Sequence, residues 1–162
     1  MQLENDQATV QAVLEAMGQY SSVHLACHAS QNVEQPTESC FYLHDGSLTL
    51  AQITKKSLTG KGMAFLSACQ TATGDKELPD EAIHLAAGML VAGYPTVIAT
   101  LWSINDEDAP SIADQVYGQL AKDRKLDGGR AARALHSAVG ELRAQVGEKE
   151  FVRWVPYIHM GI

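Results

Sequence analysis

Met63-Ala-Phe-Leu-Ser-Ala-Cys69 is a short apolar run that ends on a thiol, and Val23-His-Leu-Ala-Cys-His28 is a second that ends on an imidazole. Read as two strands of one parallel sheet, the runs bring Cys69 and His28 out at the same carboxyl edge. Open α/β sheets carry their ligands and chemistry at that edge. A thiol and an imidazole far apart in sequence, but placed together by strand geometry, form a candidate nucleophile and base.

The pattern outward from these runs alternates. Val10, Val13, Leu14 and Met17 fall at i, i+3, i+4 and i+7, the stripe of a helix that Thr9 or Asp6 can cap. Ala29 to Glu38 is polar and reads as a loop. Phe41 to His44 reads as a short strand, Asp45-Gly46 as a turn, and Leu48 to Leu58 as a short helix ended by Gly60. Thr71 to Asp80 is a second polar loop. Glu81 to Val91 is apolar almost all round, as a buried helix is. Gly93 and Pro95 stop it. Thr96-Val-Ile-Ala-Thr-Leu101 is β-branched and apolar, like a fully buried parallel strand. Helices are predicted from Asn105–Asp108 onward and from about Arg130 to Val146, joined through Asp127-Gly-Gly. Trp154 to Gly161 reads as a last strand, held to an edge or a strand start by Pro156. This alternation predicts an α/β fold with a mostly parallel sheet and helices on both faces.

The 162 residues fit one domain, and no internal repeat or second domain is visible. The formal charge of −7 argues against a nucleic-acid interface, which needs a basic stripe, and against an anionic membrane surface. Three cysteines, Cys27, Cys40 and Cys69, are odd in number, and a chain this size needs no stapling. Reduced thiols in the cytoplasm are the simpler reading. The polar start Met1-Gln-Leu-Glu-Asn-Asp does not read as a signal peptide, and no apolar run approaches a membrane span.

Cys69 ends its run and opens a loop of small residues, Gln70-Thr-Ala-Thr-Gly74, whose backbone N–H groups can stabilise an oxyanion. Cys27 shares a strand face with Val23 and Leu25 and reads as core packing, and Cys40 beside Phe41 reads as structural. His28 gains its standing from a strand terminus equivalent to that of Cys69, whereas His24 and His136 read as structural. Cys-x-x-Cys spacing does not occur, and neither a metal nor a cofactor is expected. Asn105-Asp-Glu-Asp follows the third core strand. Acids there are ordinary helix-dipole partners, yet one of them could hold a basic substrate side chain at the sheet edge. Asp75 and Glu81 are weaker candidates for that role.

Together these segments resemble a CHAT domain, the caspase-like domain often found after tetratricopeptide repeats. The resemblance rests on His24-Leu-Ala-Cys-His28, Leu66-Ser-Ala-Cys-Gln-Thr71, Leu85 to Gly93 with Val97-Ile-Ala-Thr-Leu-Trp102, Ser103-Ile-Asn-Asp106, and Trp154-Val-Pro-Tyr-Ile-His-Met-Gly161. It covers nearly all of the chain from Ser21. It implies a three-layer caspase-hemoglobinase-like fold, with the family histidine at His28 and the family cysteine at Cys69. It also implies oxyanion donors at the backbone N–H of Cys69 and of Ala29, and a substrate-binding acid, for which Asp106 is the candidate. Ala29 stands where many relatives have glycine; alanine keeps the N–H and restricts φ. A full domain of this family has further strands before the histidine strand, so residues 1–162 are expected to be the C-terminal part of a longer domain or chain.

The leading expectation is a cysteine endopeptidase cutting after basic residues, with a protein or peptide as substrate. The alternative is a regulatory or scaffolding module with little intrinsic catalysis, working with a tetratricopeptide-repeat or other regulatory domain in cis or trans. A flavodoxin-like ligand binder ranks last, because no G-x-G-x-x-G follows a strand.

Overall fold

Three apolar stretches pair in parallel at the centre of the molecule: β1 (Val23–Leu25), β5 (Met63–Leu66) and β7 (Thr96–Thr100). The computed structural model describes residues 1–32, 34–56, 58–67, 69–70, 82–121 and 128–162. The strand β8 (Tyr157–Gly161) adds antiparallel to β7, so the first sheet has the order β1-β5-β7-β8. Pro156 immediately precedes β8, on the sheet's edge, where its missing N–H disrupts no ladder.

Side chains alternate along each strand, and two hydrophobic clusters divide them. Ala64, Leu66, Val97 and Ala99 belong to the first cluster, with residues of α1 (Val10–Gln19), α2 (Leu50–Thr54) and α3 (Ala82–Val91). Met63, Phe65 and Ile98 belong to the second, with residues of α4 (Asp108–Leu120) and α5 (Ala131–Val146). The α1 stripe buries Val13, Leu14 and Met17, and the cap is Thr9, whose hydroxyl accepts from the Ala12 N–H at 3.2 Å. Gly93 ends α3 at φ +111°, and a Cβ there would lie 2.4 Å from the Leu58 carbonyl oxygen. Only glycine fits that approach. Gly88 lets α2 pack close to α3, since a Cβ would come within 2.5 Å of the Leu50 side chain.

Several boundaries differ from the sequence expectation. The runs ending at His28 and Cys69 are not single strands. The chain bends at Ala26–Cys27, and β2 (His28–Ser30) starts a second sheet. After Leu66, β6 (Cys69–Gln70) joins the same second sheet. Its order is β4-β3-β2-β6, with β3 (Cys40–Leu43) and β4 (Gly46–Thr49) forming an antiparallel hairpin. That hairpin is the reason for the switch: β3 offers β2 a ladder partner that the first sheet does not. Strands change sheets at such bends. Ala29 and Ser30 are therefore strand, not loop. Leu48 and Thr49 likewise finish β4, and α2 begins only at Leu50. A reciprocal capping box sets that start: Thr49 Oγ1 accepts from the Gln52 N–H, and Gln52 Oε1 accepts from the Thr49 N–H. In the tail, Phe151–Trp154 forms a one-turn helix, α6, and the strand begins only at Tyr157. The loop from Thr71 to Asp80 lies outside the described residues.

Candidate active site

The backbone brings His28 and Cys69 together. They are register partners at the first positions of β2 and β6, which run parallel. Neighbouring strands lie about 4.8 Å apart, which sets the two backbones side by side at these positions. Each residue follows a core strand of the first sheet, β1 before His28 and β5 before Cys69, so both stand beyond its carboxyl edge. His28 is exposed. A solvent-exposed histidine thus opens one strand and a cysteine opens the strand paired with it.

Ala29 is fully buried in β2, paired with Phe41 on one side and with Gln70 on the other. Among the described residues other than glycine only Asn5 has a positive φ. The backbone at Ala29 therefore has no need of glycine's freedom, and alanine fits without strain.

The other two cysteines lie in packed surroundings. Cys27 packs half-buried against the first cluster, and burial pushes its thiol up to about 11. Cys40 is buried in β3. His24, which the sequence marks as structural, ties β1 to β5 and the residue that follows it. Its ring stacks on Phe65 at 4.7 Å and 14°, with Tyr117 at 5.6 Å. His24 Nε2 and Ser67 Oγ form a hydrogen bond of 2.9 Å. Desolvation holds this imidazole below its ordinary pKa. His24 and His28 stand four residues apart, a spacing that sets two side chains next to each other on a helix. Here a bend divides them between two sheets. Among the described residues no group of three His, Cys, Asp or Glu side chains could hold a metal ion.

Asp106 is exposed in the loop that leaves the carboxyl end of β7. β7 neighbours β5 in parallel, so this loop leaves the same edge as the segments carrying His28 and Cys69. The buried acid of the cluster is instead Asp108, 4% exposed. Its carboxylate accepts from Arg153 Nε at 2.8 Å and Nη2 at 2.5 Å. This hydrogen-bonded pair holds Arg153 firmly in its charged form. The sequence gives no local sign of it, because the partners are 45 residues apart. Asp75, Glu81 and the segment Thr71–Gly74 lie outside the described residues.

A cavity of about 560 Å³ lies elsewhere, beside β1, lined by α1 residues such as Val13 and Met17 and by Val23 to Cys27. Among the described residues β1 has a strand partner, β5, on one side only.

A family model described as the CHAT domain matches residues 2–162. The chain belongs to the CHAT domain family. No curated protein matches it. In this CHAT domain no helix among the described residues is long and apolar enough to cross a membrane.

Proposed function

We propose that this CHAT domain is a cysteine endopeptidase with a three-layer caspase-hemoglobinase-like fold, in which Cys69 is the nucleophile and His28 the general acid–base. The observation that carries the reading is the parallel register that pairs His28 with Cys69 beyond the carboxyl edge of β1 and β5. The Cys69 thiolate attacks the scissile carbonyl carbon, forming a C–S bond and a tetrahedral oxyanion. Backbone N–H groups of Cys69 and Ala29 receive that oxyanion. The C–N bond breaks as His28 gives its proton to the leaving amine. Water then attacks the thioester, His28 takes its proton, and the freed acid leaves Cys69 as thiolate. General acid–base help of this kind contributes about 10²–10⁴ in rate. Asp106 favours Arg or Lys before the cut through a charge-assisted pair.

The test is cleavage of a fluorogenic peptide library, with basic, neutral and acidic residues before the scissile bond, by wild type and by Cys69→Ala. Cleavage after Arg or Lys that vanishes in the variant supports the assignment. Turnover that survives Cys69→Ala rejects it.

A second reading, a regulatory or scaffolding module with little intrinsic turnover, is favoured by one feature. The strand leading into His28, β1, has a partner on one side only among the described residues. A regulatory domain supplied in cis or trans, such as a tetratricopeptide-repeat domain, would have room to act there. No cleavage by folded wild type, together with cleavage once such a domain is present, would favour this reading.

A further inference from the structure

The loop that carries Asp106 is fastened at both ends by one distant segment. At its start, the Leu101 N–H donates to the Pro156 carbonyl at 2.8 Å, and Trp102 Nε1 donates to the Val152 carbonyl at 3.1 Å. At its end, Asp108 takes both arms of the Arg153 guanidinium. Between these points Ile104 is buried in the second cluster, while Asn105, Asp106 and Glu107 are exposed. The fastening segment is itself anchored. Trp154 packs against the second cluster, with the Arg143 guanidinium over its ring at 5.2 Å and Phe151 at 5.5 Å.

We infer that residues 150–156 act as a clasp, with Arg153 as a positioning residue, that sets where the β7–α4 loop presents Asp106 and so governs discrimination for a basic substrate side chain. This rests on the endopeptidase reading for its substrate, but not for the clasp itself. The physical argument is geometric. Arg153 meets Asp108 as a planar fork, which fixes direction as well as distance. The carboxylate is buried on α4's first turn, so the fork ties the loop's exit to α6. Lysine in the same place keeps the charge but makes only a point contact. The loop would then keep its attachments at Leu101 and Trp102 and its own turn, in which the Asn105 carbonyl accepts from the Asp108 and Ala109 N–H groups, and lose the directional tie of its exit to α6. Asp106 lies two residues from that exit.

The experiment compares wild type, Arg153→Lys and Arg153→Ala by two readouts. The first is steady-state cleavage of matched peptides with Arg or Ala before the scissile bond. The expected result for Arg153→Ala is KM for the Arg peptide raised roughly tenfold, with kcat and the Ala-peptide KM little changed, and partial recovery in Arg153→Lys. The second is amide hydrogen exchange, which needs no turnover. Exchange should quicken across residues 101–108 in Arg153→Ala while β5 keeps its protection. Unchanged exchange across 101–108 overturns the clasp. So does an equal loss on both peptides that tracks a fall in melting temperature, because that is the mark of a merely structural ion pair. A wild type that cuts no peptide overturns the endopeptidase reading and the substrate discrimination with it, and the exchange result alone then decides the clasp.

Discussion

Limited alkylation should separate Cys27 from Cys69, because burial suppresses the Cys27 thiolate while the role proposed for Cys69 requires a reactive one. Burial against the first cluster raises Cys27 from 9.0 to about 11. At about pH 7.5 the thiolate share then drops from about 3% to about 0.03%, roughly a hundredfold. A thiolate of higher pKa is the better nucleophile, with a Brønsted slope of about 0.4–0.5, which returns a factor of roughly ten. Cys27 should therefore react about tenfold more slowly than an ordinary exposed thiol, before steric cover slows it further. Cys69, if it is the nucleophile beside His28, should react faster than an ordinary thiol. The assay is substoichiometric iodoacetamide, quenching, digestion and mass spectrometry of the three cysteine peptides. Cys69 should be labelled first, with Cys27 at least about tenfold behind. Raising the pH from about 7 to about 9 should increase Cys27 labelling about tenfold per pH step, since the titration near 11 stays well above that range. Cys69 should change much less. Labelling of Cys27 at the rate of Cys69 at neutral pH, or a parallel rise of both with pH, would refute the assignment of Cys69.

Two further outcomes concern the frame around the site. His24 lies below its ordinary 6.5 in the folded chain because burial disfavours its charged form. The unfolded chain thus binds more protons between the folded value and 6.5, so stability is full above that window and falls as pH drops through it. His24→Gln should flatten part of that slope in melting curves taken at stepped pH. His159, depressed by the same cause, should keep the remainder. Gly93→Ala should destabilise the fold by about 1–3 kcal/mol, read as a lower urea midpoint at unchanged m-value. An alanine variant as stable as wild type would show that Leu58 and the turn relax more easily than the 2.4 Å approach implies.

Much of the frame is legible in local pattern. The α1 stripe, the β-branched run at Thr96 to Thr100 and the glycine at position 93 each announce themselves through periodicity or backbone chemistry. So does the placing of His28 and Cys69 after apolar runs. Other features have no local sign. Leu48 reads as helix in an apolar stretch, yet the capping box at Thr49 and Gln52 starts the helix later and leaves Leu48 to pair with Phe41. The bend at Cys27 depends on β3 being available to β2. Within Asn105-Asp-Glu-Asp108, nothing in the order of residues tells which acid is buried. Arg153 decides that from across the fold.

By itself, the sequence determines which segments are apolar enough to be core strands, which residues punctuate them, and that a thiol and an imidazole each follow such a strand. These are properties of near neighbours, set by side-chain period and by the freedom of glycine and proline. Only the tertiary structure decides that His28 and Cys69 are register partners in a second sheet, and that Asp108 is buried against Arg153. Both follow from pairing between segments tens of residues apart, where closing the chain and burying the partner settle the outcome together.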